Sequence, residues 1–274
     1  GWVLLDNELT KFYLEKIDTI RIDPNNKSNP ESTQSATHYE IPKSWGEFDP
    51  WIREATKTAI ELRYKWPYSH LITFGQPWCD HLIGLEVKKA YPELLWLTHF
   101  SDPWTLSPYW TTKNPYCRTA EQELEKKVLK ISSSVVFTNP NCRDLYLQEK
   151  KELSDLKNKA YFIANCTDLA MKTGLSLLES RTKKQDVFEF VHTGNFFGDL
   201  RTAEIILAAY ANFLRSNRVL KARMTLVGNL NLPKTFNLPE HLILGQNIRF
   251  VDPVPYSESL KFMAEADALL IQDT

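Results

Sequence analysis

The chain has 274 residues, enough for roughly two domains that each bury their own core. Its 33 basic and 34 acidic side chains leave a formal net charge of -1, so the global basic footprint of a nucleic-acid binder is absent. Hydrophobic residues at 43% and charged residues at 24% exclude a disordered chain, and no apolar run approaches the ~18 residues needed to cross a bilayer. Cysteines at 79, 117, 142 and 166 and six scattered histidines match neither a CxxC nor an HExxH metal spacing.

In chain order, Asp23–Glu40 is rich in Asn, Ser, Thr and Pro and reads as an exposed loop. Trp51, Ala55, Ala59 and Leu62 recur at helical spacing, and Ser69–Thr73 reads as a short buried strand. A helix over "HLIGLEVKKAY" (81–91) leads to the strand "ELLWLTHF" (93–100). Leu124, Val128 and Ile131 predict a helix over Glu121–Ser132, followed by strand 133–139, helix 142–149 and strand 160–165. Residues 167–186 are polar and mixed, so the expected organisation is a domain over 1–166, a linker over 167–186 and a second domain over 187–274. The pattern restarts with strand 187–194, helix 202–215, strand 222–228, strand 247–252, a helix from a Ser257 cap to 266, and strand 266–272. Strands that are continuously apolar and alternate with helices predict parallel sheets covered on both faces, hence two Rossmann-like α/β domains.

Three strand ends carry the chemistry-bearing residues. At "HTGNFFGDLRT" (192–202) a strand ends at Gly194, Gly198 follows, and a helix starts near Thr202, so backbone N–H groups, the positive helix end and Arg201 suit a diphosphate. An ordinary βα turn that needs glycine for positive φ is an equal reading of that spacing. At "LTHFSDPWTLSPYW" (97–110) His99 and Asp102 are the titratable side chains, and either can take a proton from a hydroxyl. Trp104, Tyr109 and Trp110 there suit a sugar ring or simply a core. Asp252-Pro253 stands at a further strand end, where a base can lie against backbone.

The runs "ITFGQPWCDHLIGLEVKKAYPELLWLTHFSDPW" (72–104), "EQELEKKVLKISSSVVFTN" (121–139), "AYFIANCTD" (160–168) and "VHTGNFFGDLRTAEIILAAY…MTLVG…IRFVDPVPYSESLKFMAEADALLI" (191–271) resemble the group 1, or family 4, glycosyltransferases of the GT-B fold, in particular those of bacterial surface-polysaccharide synthesis. The resemblance implies two Rossmann-like domains facing a cleft, both incomplete at the chain ends. It implies transfer of a sugar from a nucleoside diphosphate sugar to a glycan or lipid-linked acceptor, with retention and with neither a bound metal nor a resident cofactor. Donor binding falls to Gly194, Asn195, Arg201, Gly228, Asp252 and Pro253; Asn195 stands where the family often has arginine. His99 or Asp102 falls on the family's active-site position in the acceptor domain, and His81, Trp104 and Trp110 on the acceptor side. The expected location is cytoplasmic, with peripheral contact at the inner membrane face and no nucleic-acid partner. The alternative is a GT-B-like module that binds glycan or nucleotide without catalysis.

Arg201→Ala is expected to weaken nucleotide binding by about 1.5–3 kcal/mol, the range for a hydrogen bond to a charged group. Calorimetric titration with nucleoside diphosphates checks it, and unchanged affinity makes Arg201 a plain surface residue.

Overall fold

The computed structural model describes residues 18, 20, 22, 49–108, 110, 114–165, 176, 187–196, 201–217 and 221–272. The loop expected at 23–40, nearly all of the linker expected at 167–186, and Gly198 lie outside them. Two compact units contain the strands, four in each, and each unit is described separately below.

In the first unit the elements run α1 (Asp49–Lys65), β1 (His70–Gly75), α2 (Cys79–Ala90), β2 (Leu95–Phe100), α3 (Pro115–Ile131), β3 (Ser134–Phe137), α4 (Pro140–Glu149), α5 (Leu156–Lys159) and β4 (Ala160–Phe162). The sheet is parallel throughout, with order β1-β2-β3-β4. Consecutive right-handed crossovers in one direction put every connecting helix on the same face. One core records this: Leu82 and Leu85 of α2, Leu124, Val128 and Leu129 of α3 and Tyr146 of α4 join Trp96, Phe100, Val135 and Phe137 of the strands.

The opposite face differs from the sequence expectation of double cover. Ile72 and Phe74 of β1, Leu95 of β2 and Tyr161 of β4 are all exposed by about half. Strand order is the physical reason, because a sheet wound in one direction receives its helices on one side only. α3 and α4 are among the helices that start earlier than expected. Asn114 accepts the backbone N–H groups of Tyr116 (2.9 Å) and Cys117 (3.4 Å), and Asn139 that of Asn141 (2.8 Å). Each asparagine is followed by proline at the first helical position, where a missing N–H costs nothing.

The second unit contains β5 (Phe188–Thr193), α6 (Ala203–Ser216), β6 (Ala222–Val227), β7 (Ile248–Val251), α7 (Tyr256–Glu265) and the short β8 (Ala268–Leu269). Its parallel sheet has the order β7-β6-β5-β8. Winding therefore proceeds from β5 to β7 and then jumps back to the far side of β5, a switch of direction between β5 and β8. α6 serves the outward walk and α7, which packs on β5, the return. Pro255, not Ser257, occupies the cap of α7, and no side chain caps it. β8 covers two residues of the stretch expected at 266–272, although Leu270 N–H still donates to Val191 O at 2.8 Å.

The HLIGL run owes its glycine to packing. A Cβ on Gly84 would lie 2.5 Å from Cε2 and Nε1 of the fully buried Trp96. Glycine in a helix is ordinarily worse than alanine by about 1 kcal/mol, but overpacking a core costs about 1–3 kcal/mol. Gly84→Ala is thus expected to destabilise the protein, and a denaturant titration that finds it more stable contradicts this packing.

Candidate functional site

The carboxyl ends of β1, β2 and β3 lie on one edge of the first sheet and are tied to each other. Ser101 Oγ donates to Gly75 O at 2.5 Å, and Thr138 Oγ1 donates to Ser101 O at 2.8 Å. The segment after β2 is anchored from below by the fully buried Glu125 of α3. That carboxylate accepts Thr105 N–H (3.0 Å), Thr105 Oγ1–H (2.6 Å) and Tyr146 O–H (2.5 Å), and pairs with Lys150 Nζ at 2.8 Å. Tyr146 Oη in turn accepts the Trp104 N–H at 2.8 Å, and burial with the Glu125 charge beside it holds its phenol well above the usual range. A buried carboxylate with four donors is satisfied and structural. Its effect is to fix Trp104 and Thr105, while Asp102 just before them is exposed at the sheet edge.

His81 and Trp104, expected as acceptor contacts, are instead interior residues at 0% and 1% exposure. Trp78 stacks on Trp104 with ring centroids 5.4 Å apart, and His81 stacks on Phe100 at 5.1 Å. Trp96 Nε1–H donates to Thr73 Oγ1 at 2.9 Å, so the Thr73 hydroxyl has its proton to give His81 Nδ1, 2.8 Å away. Burial first, and the nearby His99 second, push the His81 pKa down to about 3. A neutral, enclosed imidazole cannot meet an acceptor directly. Trp110 is partly exposed, but its indole N–H donates to Glu121 at 2.6 Å and Arg118 sits over its ring, 4.6 Å from the centroid.

His99 packs against Phe74 with centroids 5.0 Å apart, and burial lowers its pKa. By strand alternation it lies on the half-covered face with Phe74, while Asp102 stands beyond the strand end. Asp80, in the first turn of α2, was not singled out by sequence reasoning. Burial pushes its carboxyl up to about 7, and its Oδ1 has no partner among the described residues. Asp80 and Asp102 each lie two residues from one member of the Trp78–Trp104 stack, Asp80 in the first turn of α2 and Asp102 beyond the end of β2.

On the second sheet the structure brings Gly194 and Asn195 (after β5), Gly228 (after β6) and Asp252 and Pro253 (after β7) to one edge. Gly228 has φ +127°, and a Cβ there would lie 2.2 Å from Gly194 O, so the two strand ends touch backbone to backbone. The expected cradle of free N–H groups is largely spent. Gly194 N–H donates to Val227 O and Phe196 N–H to Asn229 O, both at 2.9 Å. Asn195 Oδ1 accepts Asn229 N–H at 2.8 Å, which leaves the Asn195 backbone N–H unpartnered among the described residues. Asp252 and Pro253 are exposed, and Arg201 stands two residues before α6. Among the described residues, no three His, Cys, Asp or Glu side chains form a group that could hold a metal ion, and no helix is long and apolar enough to cross a membrane.

No family model and no curated protein matches the chain. Among solved structures, the chain is similar to sucrose-phosphate synthase from Thermosynechococcus elongatus: 16% identity, TM-score 0.55, covering 86% of this chain and 57% of that one. It also matches a S. aureus MnaA–UDP co-structure (10% identity, 81% and 58% coverage, TM-score 0.48). A third match is an alpha-glucosyltransferase in complex with UDP and a 13-mer DNA (12%, 78% and 54%, TM-score 0.47). The chain spans just over half the length of the solved proteins it matches. Two four-stranded parallel sheets, the order reversal in the second, and the sucrose-phosphate synthase likeness together establish an α/β fold of the GT-B type, with two Rossmann-like sheets.

Proposed function

We propose that the chain is the catalytic part of a glycosyltransferase, using a nucleoside diphosphate sugar as donor and a glycan or lipid-linked molecule as acceptor. Retention of configuration, a metal-free reaction and a role in polysaccharide or glycoconjugate assembly at the inner face of a membrane complete this reading. The observation that carries it is the switch of winding between β5 and β8, beside which Gly194 and Gly228 meet without side chains. Ligands of open α/β sheets bind outside the carboxyl ends of strands at such a point. In this reading the second sheet holds the donor through Gly194, Asn195 N–H, Arg201, Gly228 and the Asp252-Pro253 end. The domains are 1–166 and 187–274, joined by 167–186.

Asp102, Asp80 and His99 are the proton-handling candidates of the first sheet; His81 and Trp104 act beneath them as packing. Full activity in both Asp102→Asn and His99→Ala removes the catalytic assignment, whereas a loss of about 10²–10⁴-fold in turnover in one of them identifies the proton-transfer residue. The alternative of a binding module without catalysis is favoured by Asn195, whose side-chain oxygen is tied to Asn229. Isothermal titration with UDP, GDP, ADP and CMP, and then with the sugar form of the best nucleotide, tests the reading. Binding plus transfer supports the enzyme, binding alone supports the module, and no binding contradicts both.

The raised pKa of Asp80 gives a prediction with a definite sign. Its folded value of about 7 exceeds the ordinary ~3.9 of an unfolded aspartate. The folded state therefore binds the extra proton, and stability falls as pH rises from ~4 to ~7. Asp80→Asn is expected to raise the melting temperature relative to the wild type at pH 8, with the gain vanishing by pH 4. A gain that is the same at both pH values contradicts a buried, protonatable Asp80.

A further inference from the structure

His192 is the penultimate residue of β5, an inner strand of the second sheet, and lies beside the switch point. It is 8% exposed. Its Nδ1 is 3.0 Å from Leu270 O, its ring packs on Phe196 with centroids 4.6 Å apart, and Nε2 is buried with no partner among the described residues. A carbonyl oxygen only accepts, so Nδ1 carries a proton, and in the Nδ1–H tautomer Nε2 is an acceptor with a lone pair to offer. The next glycine keeps that edge clear of its own turn: a Cβ on Gly194 would lie 3.5 Å from Nε2, at φ +150°. A second acceptor lies three residues beyond the end of the neighbouring β8, where Gln272 Oε1 is also buried without a partner among the described residues. Buried acceptors left unmatched are costly, by about 1–3 kcal/mol each, so two of them at one strand-end junction call for donors from elsewhere.

We infer that His192 Nε2, and with it Gln272 Oε1 after the end of β8, accepts hydrogen bonds from hydroxyl groups of a polyhydroxylated ligand at the β5/β8 junction. A lone pair repels phosphate oxygens, so the partner is a ribose or sugar hydroxyl and not the diphosphate. This rests on the donor-site reading above and adds to it the residue that distinguishes a nucleoside diphosphate from a bare diphosphate.

The two nitrogens of His192 can be separated by substitution. In His192→Asn the amide Nδ2 keeps the bond to Leu270 O and nothing reaches the Nε2 position; in His192→Gln a polar atom returns there. The probes are the tightest-binding of UDP, GDP, ADP and CMP, and inorganic pyrophosphate as a diphosphate without hydroxyls. His192→Asn is expected to lower nucleotide affinity about tenfold, the upper range for one neutral hydrogen bond, with pyrophosphate affinity unchanged and His192→Gln recovering most of the loss. A purely structural role moves neither ratio. Nucleotide affinity unchanged in His192→Asn overturns the inference alone, as does an equal loss for pyrophosphate; a wild-type protein that binds no nucleotide overturns the donor-site reading with it. A wild-type measurement covers the case of a variant that does not fold. The imidazole ¹⁵N spectrum is expected to show one Nδ1–H histidine whose Nε2 resonance moves when the nucleotide is added, and a stationary resonance contradicts the inference.

Discussion

Everything proposed for the second sheet follows from one topological constraint: after walking outward from β5 to β7, the chain returns to pair β8 with the other side of β5. Right-handed crossovers allow that return only if α7 lies on the face opposite α6. Ligands of open α/β sheets bind outside the carboxyl ends of strands at such a reversal. Gly194 and Gly228 meet at the adjoining strand ends because a side chain at Gly228 would collide with the Gly194 carbonyl. His192 spans the β5–β8 pair at the same level through Leu270 O. The first sheet, wound in one direction within the described residues, has no such reversal there and keeps its functional candidates on the strand-end loops.

The first unit meets a different demand, which is to hold an irregular loop still. Glu125 does so by taking two bonds from Thr105 and one from Tyr146, whose oxygen receives Trp104 N–H. Lys150 balances the charge. Removing one partner of a buried pair costs about 3–5 kcal/mol, a large share of the ~5–15 kcal/mol by which a domain is stable. The aromatic stack of Trp78, Trp104, His81 and Phe100 fills the space above this anchor.

Much of this was legible in the sequence. The alternation of apolar strands with helical periodicity located the eight strands of the described residues, because periodicity is a local property. The early starts of α3 and α4 were also written there, as Asn114-Pro115 and Asn139-Pro140, but the apolar repeat used to find these helices begins only after the first turn. The roles of His81, Glu125 and His192 were not readable. Their partners Thr73, Thr105, Tyr146 and Leu270 are 8, 20, 21 and 78 residues away, and only the folded sheet brings them together. Trp104 misled for a related reason: an aromatic after a strand suits a sugar or a core equally, and the Tyr146 anchor decides for the core. Asp80 went unnoticed because nothing in "WCDHL" announces that its carboxyl is desolvated.

The central claim is that the strand ends around β5 and β8 form a nucleotide site. Amide hydrogen exchange measured with and without saturating nucleoside diphosphate tests it most directly, because binding slows exchange where backbone is held. The account predicts protection concentrated at 192–196, 228–229 and 270–272, with Asn195 foremost since its N–H has no partner among the described residues. Protection confined to the first sheet, or none at Asn195 while nucleotide is bound, would contradict it.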